Sequence, residues 1–183
     1  MKKKIQSSVS NKETALLGLL NEKSMHGYQL EQTIYERSMD YWSEISRSSI
    51  YKLLNKLEKE MLVKSEIKLT EKNINQKVYK ITIEGKKKLK EKISEILSEP
   101  EKIIWRIDLA VANYGILNKK ESDECLKKYE QKLDELITGY GNLIKYLKDS
   151  NCPANKFGLA TRPIALFKAE KKWIKEFLNS LKK

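Results

Sequence analysis

Ser46-Arg47-Ser48-Ser49-Ile50-Tyr51-Lys52-Leu53-Leu54-Asn55-Lys56-Leu57-Glu58-Lys59 is the stretch that decides the fold. Ile50, Leu53, Leu54 and Leu57 recur at intervals of three and four, which places them on one face of an α-helix and obliges that face to meet a core. Ser46 precedes the run and predicts an N-cap through its hydroxyl. The opposite face carries Ser48, Tyr51, Lys52, Asn55, Lys56 and Lys59. Small hydrogen-bonding groups and cations on an outward helical face suit a helix laid in the DNA major groove.

Beyond this helix the period changes to two. Val63, Ser65, Ile67 and Leu69 alternate with Lys64, Glu66 and Lys68, predicting a half-buried strand. The polar stretch 70–76 makes a turn, Val78–Ile83 alternates again, Gly85 ends the ribbon, and Lys86 begins another helix. Upstream, a first helix is expected from Asn11, as N-cap, to Asn21, with Ala15, Leu16, Leu19 and Leu20 inward. A second begins at Ser24–Tyr28 and turns Tyr28, Leu30, Ile34 and Tyr35 to the core, and a loop holds Tyr41 and Trp42. Three helices followed by a two-stranded ribbon with a polar tip is the winged helix-turn-helix layout.

The remaining sequence is helical. Ser98-Glu99-Pro100 marks a joint, because proline disfavours helix at the residue before it. Ile103, Ile104, Ile107, Val111 and Tyr114 line one face up to Gly115. Leu126, Tyr129, Leu133, Leu136, Tyr140, Leu143 and Leu147 then form a heptad seam, with Gly139 and Gly141 inside it as points where a partner backbone could approach. Cys152-Pro153 closes that helix, and a last one carries Ile164, Phe167, Trp173, Ile174, Phe177, Leu178 and Leu181, with Pro163 in its first turn or at a kink. The expected fold is mainly α with a small two-stranded wing. Residues 1–10 form a basic arm, 11–98 a winged-helix DNA-binding domain and 99–183 an all-helical dimerisation domain.

Composition narrows the function. The 183 residues carry 37 Lys+Arg against 25 Asp+Glu, a net charge of +12 that favours phosphate polyanions. The excess is shared: residues 1–98 hold 20 against 13 and residues 99–183 hold 17 against 12. No apolar run approaches the roughly 20 residues of a membrane span, and the amino terminus lacks the apolar stretch of a secretory signal. Two cysteines, Cys125 and Cys152, make no disulfide framework, and reduced thiols fit a cytoplasmic protein. A single histidine, His26, and the lack of a Gly-rich phosphate loop argue against an enzyme and against a metal or other cofactor.

The DNA-contacting set expected from these patterns is Ser46, Arg47, Ser48, Ser49, Tyr51, Lys52, Asn55 and Lys56 on the third helix, with Lys72, Asn73, Gln76 and Lys77 on the wing. The serines sit where a helix N-terminus favours phosphate, and Asn55 has the amide that pairs with adenine.

Ala15-Leu16-Leu17-Gly18-Leu19-Leu20, His26-Gly27-Tyr28, Ser49-Ile50-Tyr51, Leu57-Glu58 and Val78-Tyr79-Lys80-Ile81-Thr82 with Gly85 together resemble the PadR family of transcriptional regulators, over roughly residues 14–92. The helical remainder resembles the C-terminal dimerisation region of the larger members. The resemblance implies a homodimeric bacterial repressor, relieved by small and frequently aromatic effectors. It places DNA contacts at Ser48, Ser49, Tyr51 and near Lys77, and it makes His26-Gly27-Tyr28 structural, packing the second helix on the third. Lys52 stands where members often have proline, and Gln76-Lys77 where they often have an arginine pair.

One winged helix reads about half a site, so a twofold dimer on a palindromic operator follows. The dimer interface is expected from Leu126, Tyr129, Leu133, Leu136, Tyr140, Leu143, Leu147, Phe167, Trp173 and Phe177. Trp105, Tyr114, Trp173 and Phe177 are either core and interface or the lining of an effector cavity. The rival reading is a winged helix used as a protein-interaction module with no DNA operator.

Overall fold

The computed structural model describes residues 9–69, 73, 75–150 and 152–181. The chain divides into two compact units, Met1–Ile103 and Ile104–Lys183.

The first unit runs α1 (Asn11–Glu22), β1 (Met25–His26), α2 (Gly27–Glu36), the single turn α3 (Asp40–Ser43), α4 (Arg47–Lys59), β2 (Val63–Leu69), β3 (Asn75–Ile81) and α5 (Ile83–Ser98). It is a winged helix. One core holds it, with Leu16, Leu17, Met25, Leu30, Ile50, Leu54 and Leu57 excluded from solvent. Each such side chain contributes about 1.5–3 kcal/mol of burial.

The wing has three strands, in the order β1-β3-β2, rather than the expected two. Met25 pairs with Tyr79 and His26 with Val78. A two-residue strand shows no alternation, which is why the pattern could not reveal it. Only the wing's base is buried. Val63 is 1% exposed, but Ile67 and Leu69 are 72% and 69% exposed, so the alternating burial predicted for β2 holds only over its first residues.

Helix ends also differ from expectation. Ser10, not Asn11, caps α1: its hydroxyl accepts from the Glu13 amide at 3.3 Å while Glu13 accepts from the Ser10 amide at 2.8 Å. Thr82 caps α5 by accepting from the Gly85 amide at 3.0 Å, so that helix starts at Ile83, before Gly85 rather than after it. The Gly85 Cα lies so close to α4's exit that a Cβ there would stand 2.0 Å from the Leu62 carbonyl oxygen. Thr82 fastens the same point, donating to the Met61 carbonyl at 2.8 Å.

Two helices close in a Schellman motif without glycine. At the end of α4, Leu62 N–H donates to the Leu57 carbonyl and Met61 N–H to Glu58, with Met61 at φ 58. At the end of α2, Met39 donates to Ile34 and Ser38 to Tyr35, with Ser38 at φ 48. Both are Schellman closures in which an L-residue occupies the left-handed position usually given to glycine.

The second unit holds α6 (Arg106–Ala112), a 3₁₀ turn at Tyr114–Ile116, α7 (Lys119–Asp149) and α8 (Ala154–Ser180). Ile103 and Ile104 precede α6 instead of lying on it. Asn118 and Glu121 form a capping box that starts α7, and α8 pairs with α7. Leu133 and Ile174 are buried between them, the Tyr129 hydroxyl donates to Glu170 at 3.3 Å, and Lys171 meets Asp134 at 2.5 Å. Pro163 lies in the interior of α8, not in its first turn.

Candidate nucleic-acid interface

The surface that could meet DNA is built on α4. Burial of Ile50, Leu54 and Leu57 turns Ser46, Arg47, Ser48, Tyr51, Lys52, Asn55 and Lys56 outward. The side chains of Lys52 and Asn55 make no hydrogen bond or ion pair with other described residues, so their polar ends are available.

The others have partners. Ser49 is turned into the helix start: its hydroxyl donates to the Ser46 carbonyl at 2.7 Å and accepts from the Ser46 amide at 3.3 Å. The cap is therefore closed by Ser49, while the Ser46 hydroxyl lies 3.2 Å from that of Ser48. Tyr51 is 52% exposed, with its ring against Gly27. Its position is thus set by the first residue of α2.

His26 completes that joint. Its Nδ1 accepts from the Gln29 amide at 3.2 Å and its own amide donates to the Gln29 side chain at 3.1 Å. Partial burial lowers the imidazole's pKa, in keeping with a neutral ring that accepts through Nδ1. His26 and Gly27 thus join β1, α2 and α4, whereas the Tyr28 ring stands outside that joint. Tyr28 and Tyr35, expected inward, are 59% and 68% exposed, because Leu30 and Ile34 alone fill the inward side of this short helix.

Three of the expected cations are matched by carboxylates of the same chain. Arg47 Nε lies 3.5 Å from Glu31, and its guanidinium sits 5.0 Å above the Tyr35 ring. Lys56 Nζ is 2.6 Å from Glu13, whose side chain is only 3% exposed. Burial by itself raises the Glu13 pKa, but the Lys56 ammonium and the Ser10 amide and hydroxyl outweigh it and hold the carboxyl below its ordinary range. Lys77 Nζ is 2.7 Å from Glu58 and 5.1 Å above the Tyr79 ring. Sequence reasoning gave Glu13, Glu31 and Glu58 no role as counter-charges. The Ser10-x-x-Glu13 spacing could have given the cap, but nothing local announces an ion pair to a residue 43 positions away.

On the wing, Lys77 is exposed and Gln76 half-buried. Asn73 is exposed with φ 56, a left-handed turn position that Asn tolerates. Lys72 lies outside the described residues, as do residues 1–8 of the expected arm. Beside α4, Tyr28, Glu31, Gln32, Tyr35, Glu36 and Arg47 line a shallow groove of about 300 Å³, too acidic to hold a phosphate.

The second unit gathers part of the expected effector set. Trp173 stacks on Phe177 at 5.3 Å, and Tyr114 meets Phe177 edge-on at 5.5 Å. Trp105 is 41% exposed before α6 and shares no ring contact with them among the described residues. Of the expected dimer residues, Leu133 is buried within the chain, and Tyr129, Tyr140 and Phe167 pack between α7 and α8. Leu136 and Leu143 remain 44% and 41% exposed. Space beside Gly139 and Gly141 is open.

Comparison with known proteins fits this frame. Residues 16–91 match the transcriptional regulator PadR-like family. The chain carries a PadR-like domain. It is 24% identical over 176 residues to the negative transcriptional regulator PadR of Bacillus subtilis, covering 92% of this chain and 96% of that one. The crystal structure of B. subtilis PadR in complex with operator DNA shares its fold at a TM-score of 0.76 and 20% identity, over 92% of this chain and 97% of that one. The same protein in complex with p-coumaric acid gives a TM-score of 0.78 at 20% identity, over 97% and 99%. The matched segment thus resembles a family of transcriptional regulators, and no helix among the described residues is long and apolar enough to cross a membrane.

Proposed function

We propose that this chain is a homodimeric, sequence-specific DNA-binding repressor that acts in the cytoplasm without catalysis and is released from a palindromic operator by a small aromatic effector. One observation carries the DNA reading: the outward face of α4 offers Tyr51, Lys52 and Asn55 beside a projecting wing, on a PadR-like frame. The operator complex of the B. subtilis relative supports the choice of ligand. Dimerisation is argued from Leu136 and Leu143, apolar side chains left exposed on the seam of a 31-residue helix. The Tyr114–Phe177–Trp173 cluster is a flat aromatic surface suited to a planar ligand, and p-coumaric acid bound to the relative points to an aromatic acid.

Fluorescence anisotropy with duplex from upstream of the chain's own gene tests this reading. Tight binding that exceeds binding to random duplex, and that weakens steeply between 50 and 200 mM salt, is expected. Equal affinity for both duplexes would instead favour a protein-interaction module. Addition of p-coumaric acid should then release the DNA.

A further inference from the structure

Glu58 is an acid on the helix that carries the DNA-facing side chains, where an unpaired negative charge would repel phosphate. Its two oxygens are fully engaged. Oε1 accepts from the Ser65 hydroxyl of β2, and Oε2 meets Lys77 Nζ of β3 at 2.7 Å. One carboxylate therefore ties both long strands of the wing to α4. Lys77 is directed the same way by the Tyr79 ring, 5.1 Å beneath its ammonium, and Tyr79 pairs with Ser65 across the ladder.

The position of this contact along the wing matters. The base is held by buried Val63 and Ile81 and by Thr82 on the Met61 and Leu62 carbonyls. Beyond Ser65, Ile67 and Leu69 are exposed, so no apolar packing fixes the outer half of β2. The Glu58 contact is the outermost attachment of β2 and β3 to α4 among the described residues.

We propose that Glu58 is a positioning residue that braces the wing against the α4 helix, with Lys77 as its counter-charge and not a phosphate contact. This rests on the DNA-binding reading. It reverses the usual sign of an acid at such a surface: removing Glu58 weakens DNA binding because the wing loses its angle, although the surface becomes less negative. Consistent with the geometry, the Lys77 and Ser65 contacts hold the Glu58 carboxyl below its ordinary range and the Glu58 contact raises the Lys77 ammonium.

The test uses the full chain with Glu58→Gln, Lys77→Met, both together, and the swap Glu58→Lys with Lys77→Glu. Anisotropy on the upstream duplex should show each single variant weaker by about threefold to tenfold, the double no weaker than either, and the swap restored towards wild type. The double variant should keep the wild-type salt slope. Hydrogen exchange without DNA should be faster in strands 63–69 and 75–81 of Glu58→Gln and slow again in the swap. Equal or tighter binding by Glu58→Gln, multiplied losses in the double variant, or a salt slope lower by about one would overturn the inference and make Lys77 a phosphate contact. A wild-type chain that shows no preference for its upstream DNA would sink the DNA reading itself. Exchange in the free protein would still decide whether Glu58 holds the wing.

Discussion

Gly27→Ala perturbs the interface without replacing a residue that faces DNA. A Cβ at Gly27 would lie 2.5 Å from Tyr51 Cε1 and 2.9 Å from its Cζ and hydroxyl oxygen. Carbon atoms settle at about 3.5–4.0 Å, so the ring must retreat by roughly 1 Å. It can do so, because it is half-exposed and swings about its own side-chain bonds. The folding cost is therefore at the low end of the roughly 1–3 kcal/mol for overpacking, offset by up to about 1 kcal/mol from replacing glycine in a helix. Net stability should change by less than about 1 kcal/mol. Binding should suffer more, since a side chain that reads a base is worth about 1–3 kcal/mol, or a loss of roughly fivefold to 150-fold. Urea denaturation and anisotropy on the upstream duplex measure the two effects separately. Gly18→Ala is the control, because nothing lies within 4 Å of a Cβ there. Wild-type affinity in Gly27→Ala alongside a clear loss in Tyr51→Ala would refute the claim that Gly27 sets the tyrosine's position.

Met61→Gly should raise stability by about 1 kcal/mol in urea denaturation, because Met61 is 75% exposed and held at φ 58, where an L-residue is strained. The Glu13–Lys56 pair stabilises the fold between its two titrations. Glu13 has its folded pKa lowered, so its contribution is present above the ordinary 4.5 and fades as pH falls through the folded value; Lys56 has its pKa raised, so the contribution is lost only as pH rises beyond 10.5. Glu13→Gln should remove about 1 kcal/mol at neutral pH and flatten the acid limb of the stability curve. Leu136→Glu with Leu143→Glu should leave the helix content by circular dichroism unchanged and shift sedimentation at micromolar concentration from dimer to monomer; a retained dimer would place the interface elsewhere.

What was legible in the sequence is what periodicity records. Ile50, Leu54 and Leu57 announced α4 and its outward face, and the alternation from Val63 announced the wing. Invisible features were of two kinds. Met61 and Ser38 close helices in the left-handed conformation with no glycine to signal it, so only the backbone hydrogen bonds disclose those ends. Met25-His26 becomes a strand only because β3 is there to receive it, a tertiary cause that no local window contains. The candidate site divides the same way. Exposure of Lys52 and Asn55 follows from helix phase alone, but Lys56 and Lys77 look identical to Lys52 in sequence and differ only in the acids that the fold brings beside them.

That difference bears on how the chain's +12 charge would act on DNA. A phosphate must compete with Glu31 for Arg47, with Glu13 for Lys56 and with Glu58 for Lys77, at separations of 3.5, 2.6 and 2.7 Å. Cations already matched in this way contribute little to counterion release, so the salt dependence should report fewer phosphate contacts than the basic residues around α4 and the wing would suggest. Lys64 and Lys80 are the contrasting case. They stand directly opposite each other across β2 and β3, with Glu66 close enough to attract both and offset part of their mutual repulsion. A polyanion relieves that repulsion on binding, whereas it must break a contact to reach Lys77. On the proposed DNA-binding reading, the long-range field would come from the whole chain, while short-range neutralisation would fall to lysines that the fold leaves unmatched or crowded together.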